Sequence, residues 1–368
     1  MRARSANVDG LRVLALVAIV VGHVYTESEP AERLVQSWRL PLFFVLAGYF
    51  WRPGLAWVSD LSGRWRSTAV PYLAWLAVLT AVALPASEDP VDRLVEALLG
   101  GSYALRPLTT FWFLSCLFFA ALLYRALERV PPAVRAALCL AGLVVNVLAG
   151  ELLARVPLSA GTALGAVALL WCGDELRRRA LDRPALTRRR AAWALLLPPV
   201  VLLAVVDDFT PLDMEDGELP VLAVVVALLL SCGFVVLADA APAPPARVAA
   251  AYRALTRPAV VVVLVHPLVL AVLPPDSALL PSPVVAALAF VLPLVLGLGL
   301  AGTRAAPLLL GRPSTGRLGA GPAQAPRPDG RPALAAEASA GALADGTPDD
   351  GGPPDRHRPR EARPPAEG

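Results

Sequence analysis

The chain has 368 residues, of which 56% are hydrophobic and 17% are charged, and its mean hydropathy is +0.59. This apolar share exceeds that of typical soluble domains, so the composition predicts an all-α, polytopic membrane protein, which we expect in the plasma membrane. The formal net charge of +3 gives no indication of nucleic-acid binding. No metal site is expected, because the four cysteines lie singly in apolar runs without the spacing of a ligand set.

Ten apolar runs follow one another along the chain, and each predicts a transmembrane helix. Several runs are shorter than the ~20 residues of a straight span, so we expect their ends to extend into flanking polar residues. The runs cover residues 11–27, 38–51, 69–85, 108–124, 133–149, 156–173, 191–206, 219–238, 258–273 and 283–302.

The stretch DGLRVLALVAIVVGH, over residues 9–23, places Arg12 and His23 in an otherwise apolar part of the first helix. Arg12 and His23 are eleven residues apart, so they share one helix face about 16.5 Å apart. An ionisable group inside a membrane is a functional-site hypothesis by default, although a neutral histidine packed between helices is the alternative. Asp9 precedes Arg12 by three residues and is expected to hold its guanidinium.

Two arginines precede the third run, in the sequence RWRSTAVPYLAW over residues 64–75. Arg64 and Arg66 would lie at the cytoplasmic mouth of the bundle, just before Pro71 and Tyr72. Guanidinium groups offer bidentate donors to a phosphate-bearing ligand, whereas anchoring of the topology is the alternative.

Two further residues stand out in later runs. Trp112 lies near the start of the fourth run, where we expect it at the outer membrane interface as part of an aromatic belt. His266 lies in the ninth run, AVVVVLVHPLVLAVL, as a site residue or as a satisfied core histidine.

The charge of the connecting loops alternates along the chain, as the positive-inside rule requires of a membrane protein. Five arginine-rich segments are predicted to be cytoplasmic, and the intervening acidic or neutral segments are predicted to be exported. Both termini are therefore expected in the cytoplasm. The basic segments are 64–66, 125–135, 177–190, 247–257 and 304–317, and the others are 27–32, 88–96, 151, 207–218 and 276.

The composition changes near residue 311. A transmembrane domain is expected over residues 1–311. Residues 312–368 are rich in Pro, Gly, Ala and Arg and have no apolar period, so they predict a disordered cytoplasmic tail.

Together these residues resemble the acyltransferase-3 family of integral-membrane O-acyltransferases. The family hallmark is an arginine followed by ten residues and a histidine, which matches Arg12 and His23, preceded by Asp9 and Leu11. Further stretches occur in the family's order, although Ala47 stands where the family usually has Ser and Val263 where it commonly has Tyr. They are residues 43–48, the pair Arg64 and Arg66 with Pro71 and Tyr72, residues 112–114 beginning with Trp112, and His266 with Pro267.

The resemblance implies transfer of an acyl group, often acetyl, from acyl-CoA to a hydroxyl group. The acceptor would be a sugar, a polysaccharide, a lipid-linked glycan or a secondary metabolite. His23 is then expected to act as the general base, with Arg12 as the second catalytic residue. Arg12, Arg64 and Arg66 would bind the phosphates or pantetheine arm of acyl-CoA. Asp9, Tyr72, Trp112 and His266 would support the site.

Two other interpretations stay open on the sequence. A transporter or flippase for a sugar or lipid conjugate could also use ten spans, with Arg12 and His23 along its conduction path. A pseudoenzyme or assembly subunit is the third possibility. The oligomeric state and the acceptor are not predicted.

Overall fold

The computed structural model describes residues 6–25, 29–180, 183–275 and 280–313. Glu27, which the sequence places near His23, and nearly all of the predicted tail lie outside the described residues.

The regular structure of the described residues consists of helices, joined by turns and loops. Fifteen α-helices follow in chain order: α1 Ala6–Val24, α2 Glu29–Gln36, α3 Pro41–Tyr49, α4 Trp57–Arg64, α5 Val70–Ala83, α6 Pro90–Leu99, α7 Phe111–Leu127, α8 Pro132–Ala154, α9 Ala163–Ala180, α10 Ala185–Val205, α11 Val221–Ala240, α12 Ala246–Leu255, α13 Ala259–Val272, α14 Ser282–Leu300 and α15 Ala306–Leu310.

Each of the ten predicted apolar runs overlaps one of these helices, so the prediction of an all-α membrane protein is confirmed. Five helical stretches of the described chain are long and apolar enough to cross a membrane by themselves. A sixth span results if α12 and α13, which are bent by 56° relative to each other, are counted as one. The total of ten spans remains a prediction, because helices such as α3 are short and the ends of α9 and α10 carry arginines.

Helix α1 lies in the interior of the bundle, where it packs against α11, α12, α13 and α14. Its apolar residues Ala15, Leu16 and Ile19 are buried against these neighbours. The first span therefore holds Arg12 and His23 among other helices, which is where a membrane protein can accommodate ionisable residues.

Helix α3 is short and lies directly against α9 through two glycines. A Cβ atom on Gly48 would lie 1.8 Å from the carbonyl oxygen of Leu170, and one on Gly173 would lie 1.9 Å from that of Val45. The backbones of the two helices can approach this closely only because neither glycine has a side chain.

This packing predicts that Gly48→Ala destabilises the protein. The added methyl group meets backbone atoms, which cannot move aside as a flexible side chain can, and overpacking of this kind typically costs about 1–3 kcal/mol. Gly299→Ala in α14 is the matched control, because a Cβ there meets open space and alanine favours a helix. Thermal unfolding in detergent should show a lower midpoint for Gly48→Ala alone; equal midpoints would contradict the contact.

Candidate active site

A polar cavity of about 190 Å³ lies beside the C-terminal half of α1. It is lined by residues from α1, α2, α13, the start of α7, the segment between α2 and α3, and the loop between α10 and α11. Its lining residues are Ile19, Gly22, His23, Gln36, Arg39, Leu40, Thr110, Trp112, Phe113, Asp213, Glu215 and Val263.

The two histidines predicted from the sequence meet at this cavity. The ring centroids of His23 and His266 are 5.2 Å apart, although 242 residues separate them in the chain. His23 lines the cavity, whereas His266 is completely buried behind it. The only ionisable side chain of α13 is thus placed next to the only histidine of α1.

The tautomer of His266 follows from its hydrogen bond. Its Nδ1 lies 2.9 Å from the carbonyl oxygen of Val262, which can only accept, so Nδ1 carries the proton. In a neutral imidazole Nε2 is then an acceptor, and Nε2 has no hydrogen-bond partner among the described residues. His266 therefore presents an acceptor atom close to the ring of His23.

Arg39 is a buried cation in the same cavity, and its position depends on a glycine of α1. The Nη1 atom of Arg39 donates to the carbonyl oxygen of Ile19 at 3.1 Å, and Nη2 donates to Oε1 of Gln36. A Cβ atom on Gly22 would lie 1.8 Å from Nη1, so only glycine leaves room for the guanidinium beside His23. Because Arg39 is 5% exposed, its charge acts in a poorly solvated environment.

The loop between α10 and α11, residues 206–220, folds against the cavity as a tight turn. The Oδ1 atom of Asp213 accepts hydrogen bonds from the backbone N–H groups of Glu215 (2.9 Å) and Asp216 (3.3 Å). Arg33 donates to the carbonyl oxygens of residues 206 and 207, which holds the start of the loop. The turn thereby places the side chain of Glu215 at the cavity.

The environment of the Glu215 carboxyl group disfavours its ionised form. Burial, followed by repulsion from Asp213 and Asp216, raises the pKa of Glu215 to about 9, against smaller opposing effects of Trp112 and Arg39. Glu215 is therefore protonated at neutral pH and can donate as well as accept a hydrogen bond.

The start of α7 closes another wall of the cavity. The hydroxyl group of Thr110 donates to the carbonyl oxygen of Val263 at 2.7 Å, which ties α7 to α13. Trp112 is 3% exposed and lines the cavity, so its expected place in an aromatic belt at the membrane surface is wrong. The helix turns this side chain inward, toward the loop and the histidines.

Arg12 lies on α1 away from the cavity. Its Nη1 atom is 3.7 Å from Oδ1 of the buried Asp9, and its guanidinium carbon is 4.7 Å from the ring centroid of Phe50. The expected contact between Asp9 and Arg12 is thus present, and the aromatic ring adds a second favourable contact for the cation.

Three other predicted site residues also lie outside the cavity. Arg64 donates to Asp60 at 2.9 Å and lies 4.7 Å from the ring centroid of Trp51, whereas Arg66 is exposed. Tyr72 packs edge-on against Phe111 with ring centroids 5.2 Å apart. Arg12 and Arg64 are indirectly connected, because their aromatic partners, Phe50 and Trp51, are consecutive residues.

Sequence reasoning missed Arg39 and Glu215. Arg39 stands at the beginning of the second apolar run, where an arginine is also typical of a membrane boundary. Glu215 belongs to a loop with several acidic residues, and no feature of the sequence distinguishes it from Asp207 or Glu218.

Comparison with known proteins identifies the family. The model of a family described as an acyltransferase domain, acyltransferase-3, matches residues 5–302. The chain belongs to the acyltransferase-3 family. No curated protein and no solved structure matches it in the same comparisons.

An acyltransferase-3 protein is a membrane acyltransferase, and this membership favours the enzyme interpretation over the transporter. The matched region includes every helix that contributes to the cavity around His23.

The setting of Glu215 predicts a pH-dependent gain in stability for Glu215→Gln. Because the pKa is raised to about 9 in the folded protein, the folded state keeps a proton that the unfolded state releases above its ordinary value near 4.5. Stability of the wild type therefore falls as pH rises through this interval, and glutamine removes the effect. At pH 8 we expect a gain of about 1–3 kcal/mol, seen as a higher unfolding midpoint, and at pH 4 no gain.

Glu218→Gln is the control for this experiment, because the exposed Glu218 belongs to the same loop. It should leave the midpoint nearly unchanged at both pH values. A Glu215→Gln midpoint that matches the wild type at pH 8 would show that the carboxyl group is not buried as described.

Proposed function

We propose that this membrane acyltransferase moves an acyl group from acyl-CoA to a hydroxyl group of a glycan, a lipid or a metabolite. Acetyl is the acyl group that we propose. The protein would act in the plasma membrane. The observation that carries the proposal is the pair His23 and His266 beside a polar cavity that also holds a buried cation, Arg39.

In the proposed reaction His23 acts as general base. It takes the proton from the acceptor hydroxyl group while the hydroxyl oxygen attacks the thioester carbonyl carbon. The tetrahedral intermediate then collapses, the carbon–sulfur bond breaks, and the CoA thiolate receives the proton from His23. The acceptor Nε2 of the buried His266, close to the ring of His23, supports a role for His266 in orienting that ring.

Arg39 and Glu215 have complementary roles in this proposal. The guanidinium of Arg39 is a fixed donor in a poorly solvated cavity, which suits it to stabilise the oxyanion that develops on the thioester carbonyl. Glu215, protonated at neutral pH, and Gln36 can each donate to and accept from a hydroxyl-rich acceptor. Trp112 offers an apolar wall against which a sugar ring could pack.

The donor would approach from the opposite end of α1. Helix geometry separates Arg12 from His23 by about 16.5 Å along the axis, and Arg64 is connected to Arg12 through Phe50 and Trp51. In this proposal Arg12, Arg64 and Arg66 lie at the cytoplasmic side and receive the phosphates of acyl-CoA. The thioester then extends along α1 toward His23, and the acceptor enters from the exported side.

This arrangement requires the topology that the loop charges predict. We propose ten spans in a domain over residues 1–311, with both termini and the tail over residues 312–368 in the cytoplasm. The loop of residues 206–220, which supplies Glu215, would be exported and would cover the acceptor side of the cavity.

The topology can be checked by cysteine labelling. In a chain whose four native cysteines are replaced by alanine, Glu218→Cys and Arg190→Cys each introduce one thiol at an exposed position. An impermeant thiol reagent on intact cells should label Glu218→Cys, and it should label Arg190→Cys only after the membrane is permeabilised. Labelling of Arg190→Cys alone on intact cells would invert the proposed orientation.

The role of His23 predicts that His23→Gln loses acyl transfer while the protein inserts and unfolds normally. Glutamine can hydrogen-bond but cannot take up a proton at neutral pH, and a general base typically contributes roughly 10²- to 10⁴-fold in rate. The assay uses the purified protein in nanodiscs, radiolabelled acetyl-CoA, and a lipid and polysaccharide extract of the native membrane as acceptor.

Tyr25→Phe is a suitable control, because Tyr25 lies two residues after His23 and outside the cavity lining. It should transfer acetyl groups at the wild-type rate. If His23→Gln also keeps most of the activity, His23 is a packing residue and the proposed mechanism fails.

A further inference from the structure

A second cavity, of about 310 Å³, is lined by four arginines. It lies where the segment after α3 meets the end of α7, the start of α8 and the end of α9. Its arginines belong to the basic segments 125–135 and 177–190, which the positive-inside rule predicts to be cytoplasmic. We call it the arginine cavity. Its charged and aromatic lining residues are Trp57, Arg125, Glu128, Arg129, Arg135 and Arg178.

Two of the four arginines are neutralised within the protein. Arg125 donates to Asp60 at 3.0 Å and also to Glu128. Arg178 donates to Asp174 at 2.7 Å. Their charges are therefore balanced by neighbouring carboxylates and contribute little net attraction for a ligand.

The other two arginines have no carboxylate partner among the described residues. Arg129 is exposed, with its guanidinium carbon 5.7 Å from the ring centroid of Trp57. Arg135 is 6% exposed, and its buried Nε atom has no hydrogen-bond partner in the described part of the chain. Its nearest aromatic contact is the ring of Tyr124, at 5.9 Å. A buried guanidinium without a carboxylate or carbonyl acceptor is costly, so its placement at a cavity points to an anion.

The start of α8 adds to this positive environment. Arg135 lies in the first turn of this 23-residue helix, where the helix dipole already favours a negative charge and disfavours a cation. Pro131 precedes the helix and provides no side-chain cap. Arg135 is therefore a cation at a helix start that by itself favours an anion, and its guanidinium at the cavity points to an oxyanion as the ligand.

From these observations we infer that the arginine cavity is a phosphate-binding site in which Arg135 and Arg129 are the principal ligands. The phosphate can belong to the nucleotide part of acyl-CoA, an assignment that rests on the proposed function, or to the headgroup of an anionic lipid. Guanidinium groups suit either source, because they bind phosphate oxygens in a bidentate manner.

The connection to the candidate active site favours the nucleotide. Trp51 lies 4.3 Å from Arg125 and 4.7 Å from Arg64, measured from ring centroid to guanidinium carbon, and its indole N–H donates to Glu128. The neighbouring Phe50 contacts Arg12 on α1. The arginine cavity is thus linked through two consecutive aromatic residues to the helix that carries His23.

The test measures binding of two probes to the full-length protein. Adenosine 3′,5′-bisphosphate represents the nucleotide and is titrated calorimetrically against protein in phosphatidylcholine nanodiscs. Phosphatidic acid represents the lipid, and its retention is measured by native mass spectrometry. Arg135→Gln and Arg129→Gln should each lower the binding affinity for one of the two probes by roughly ten- to hundred-fold, which is the usual effect of losing a charge-assisted hydrogen bond.

Arg190→Gln is the matched control, because it removes one exposed arginine from the same predicted side but outside the cavity. It should leave binding of both probes unchanged. Arg129→Gln decides the question if the buried Arg135 cannot be replaced without unfolding. If the cavity variants lose affinity for the nucleotide probe only, the site binds the phosphate of the acyl donor. If they lose affinity for phosphatidic acid only, the site binds an anionic lipid.

The inference is overturned if neither probe binds the wild type, if both cavity variants bind as the wild type does, or if Arg190→Gln weakens binding equally. The proposed function fails separately. Wild-type protein that binds a probe but transfers no acetyl group from acetyl-CoA would retain the phosphate site and contradict the acyltransferase mechanism.

Discussion

The buried guanidinium of Arg39 is the interaction on which the candidate site depends. It can lie against α1 only because Gly22 has no side chain, and its bonds to Ile19 and Gln36 join the first span to the segment before α3. A charge in a poorly solvated interior must be held by such donors and acceptors. Arg39 and His23 line the same cavity, so the structural anchor is also the cation to which we assign a role in the proposed reaction.

Two groups of ionisable residues lie toward opposite ends of α1. His23, His266, Arg39 and Glu215 surround a small polar cavity at one end. Arg12 lies toward the other end, in contact with the aromatic segment that leads to the arginine cavity. This separation suits the reaction that we propose, because the charged part of a phosphate-bearing donor would not have to enter the apolar interior.

Hydrogen bonds and buried apolar side chains hold the helices and the loop that form the cavity wall. Thr110 ties α7 to α13 by one hydrogen bond, and Asp213 holds the loop of residues 206–220 by accepting two backbone N–H groups. The buried side chains Leu212 and Met214 anchor this loop beside the helices. Glu215 therefore lies at the cavity on a turn that is itself well packed. A loop held in this way can position a functional side chain.

The sequence by itself determined the class of protein, the positions of the ten apolar helices, the shared helix face of Arg12 and His23, and the family. These depend on composition, on apolar runs and on spacing within one helix, which are local properties. Only the tertiary structure decided that His266 meets His23, that Trp112 faces inward, and that Arg39 and Glu215 belong to the site. Each of these results from contacts between elements far apart in the chain, and an arginine or glutamate in a loop has the same local pattern whether it is solvated or buried in a cavity.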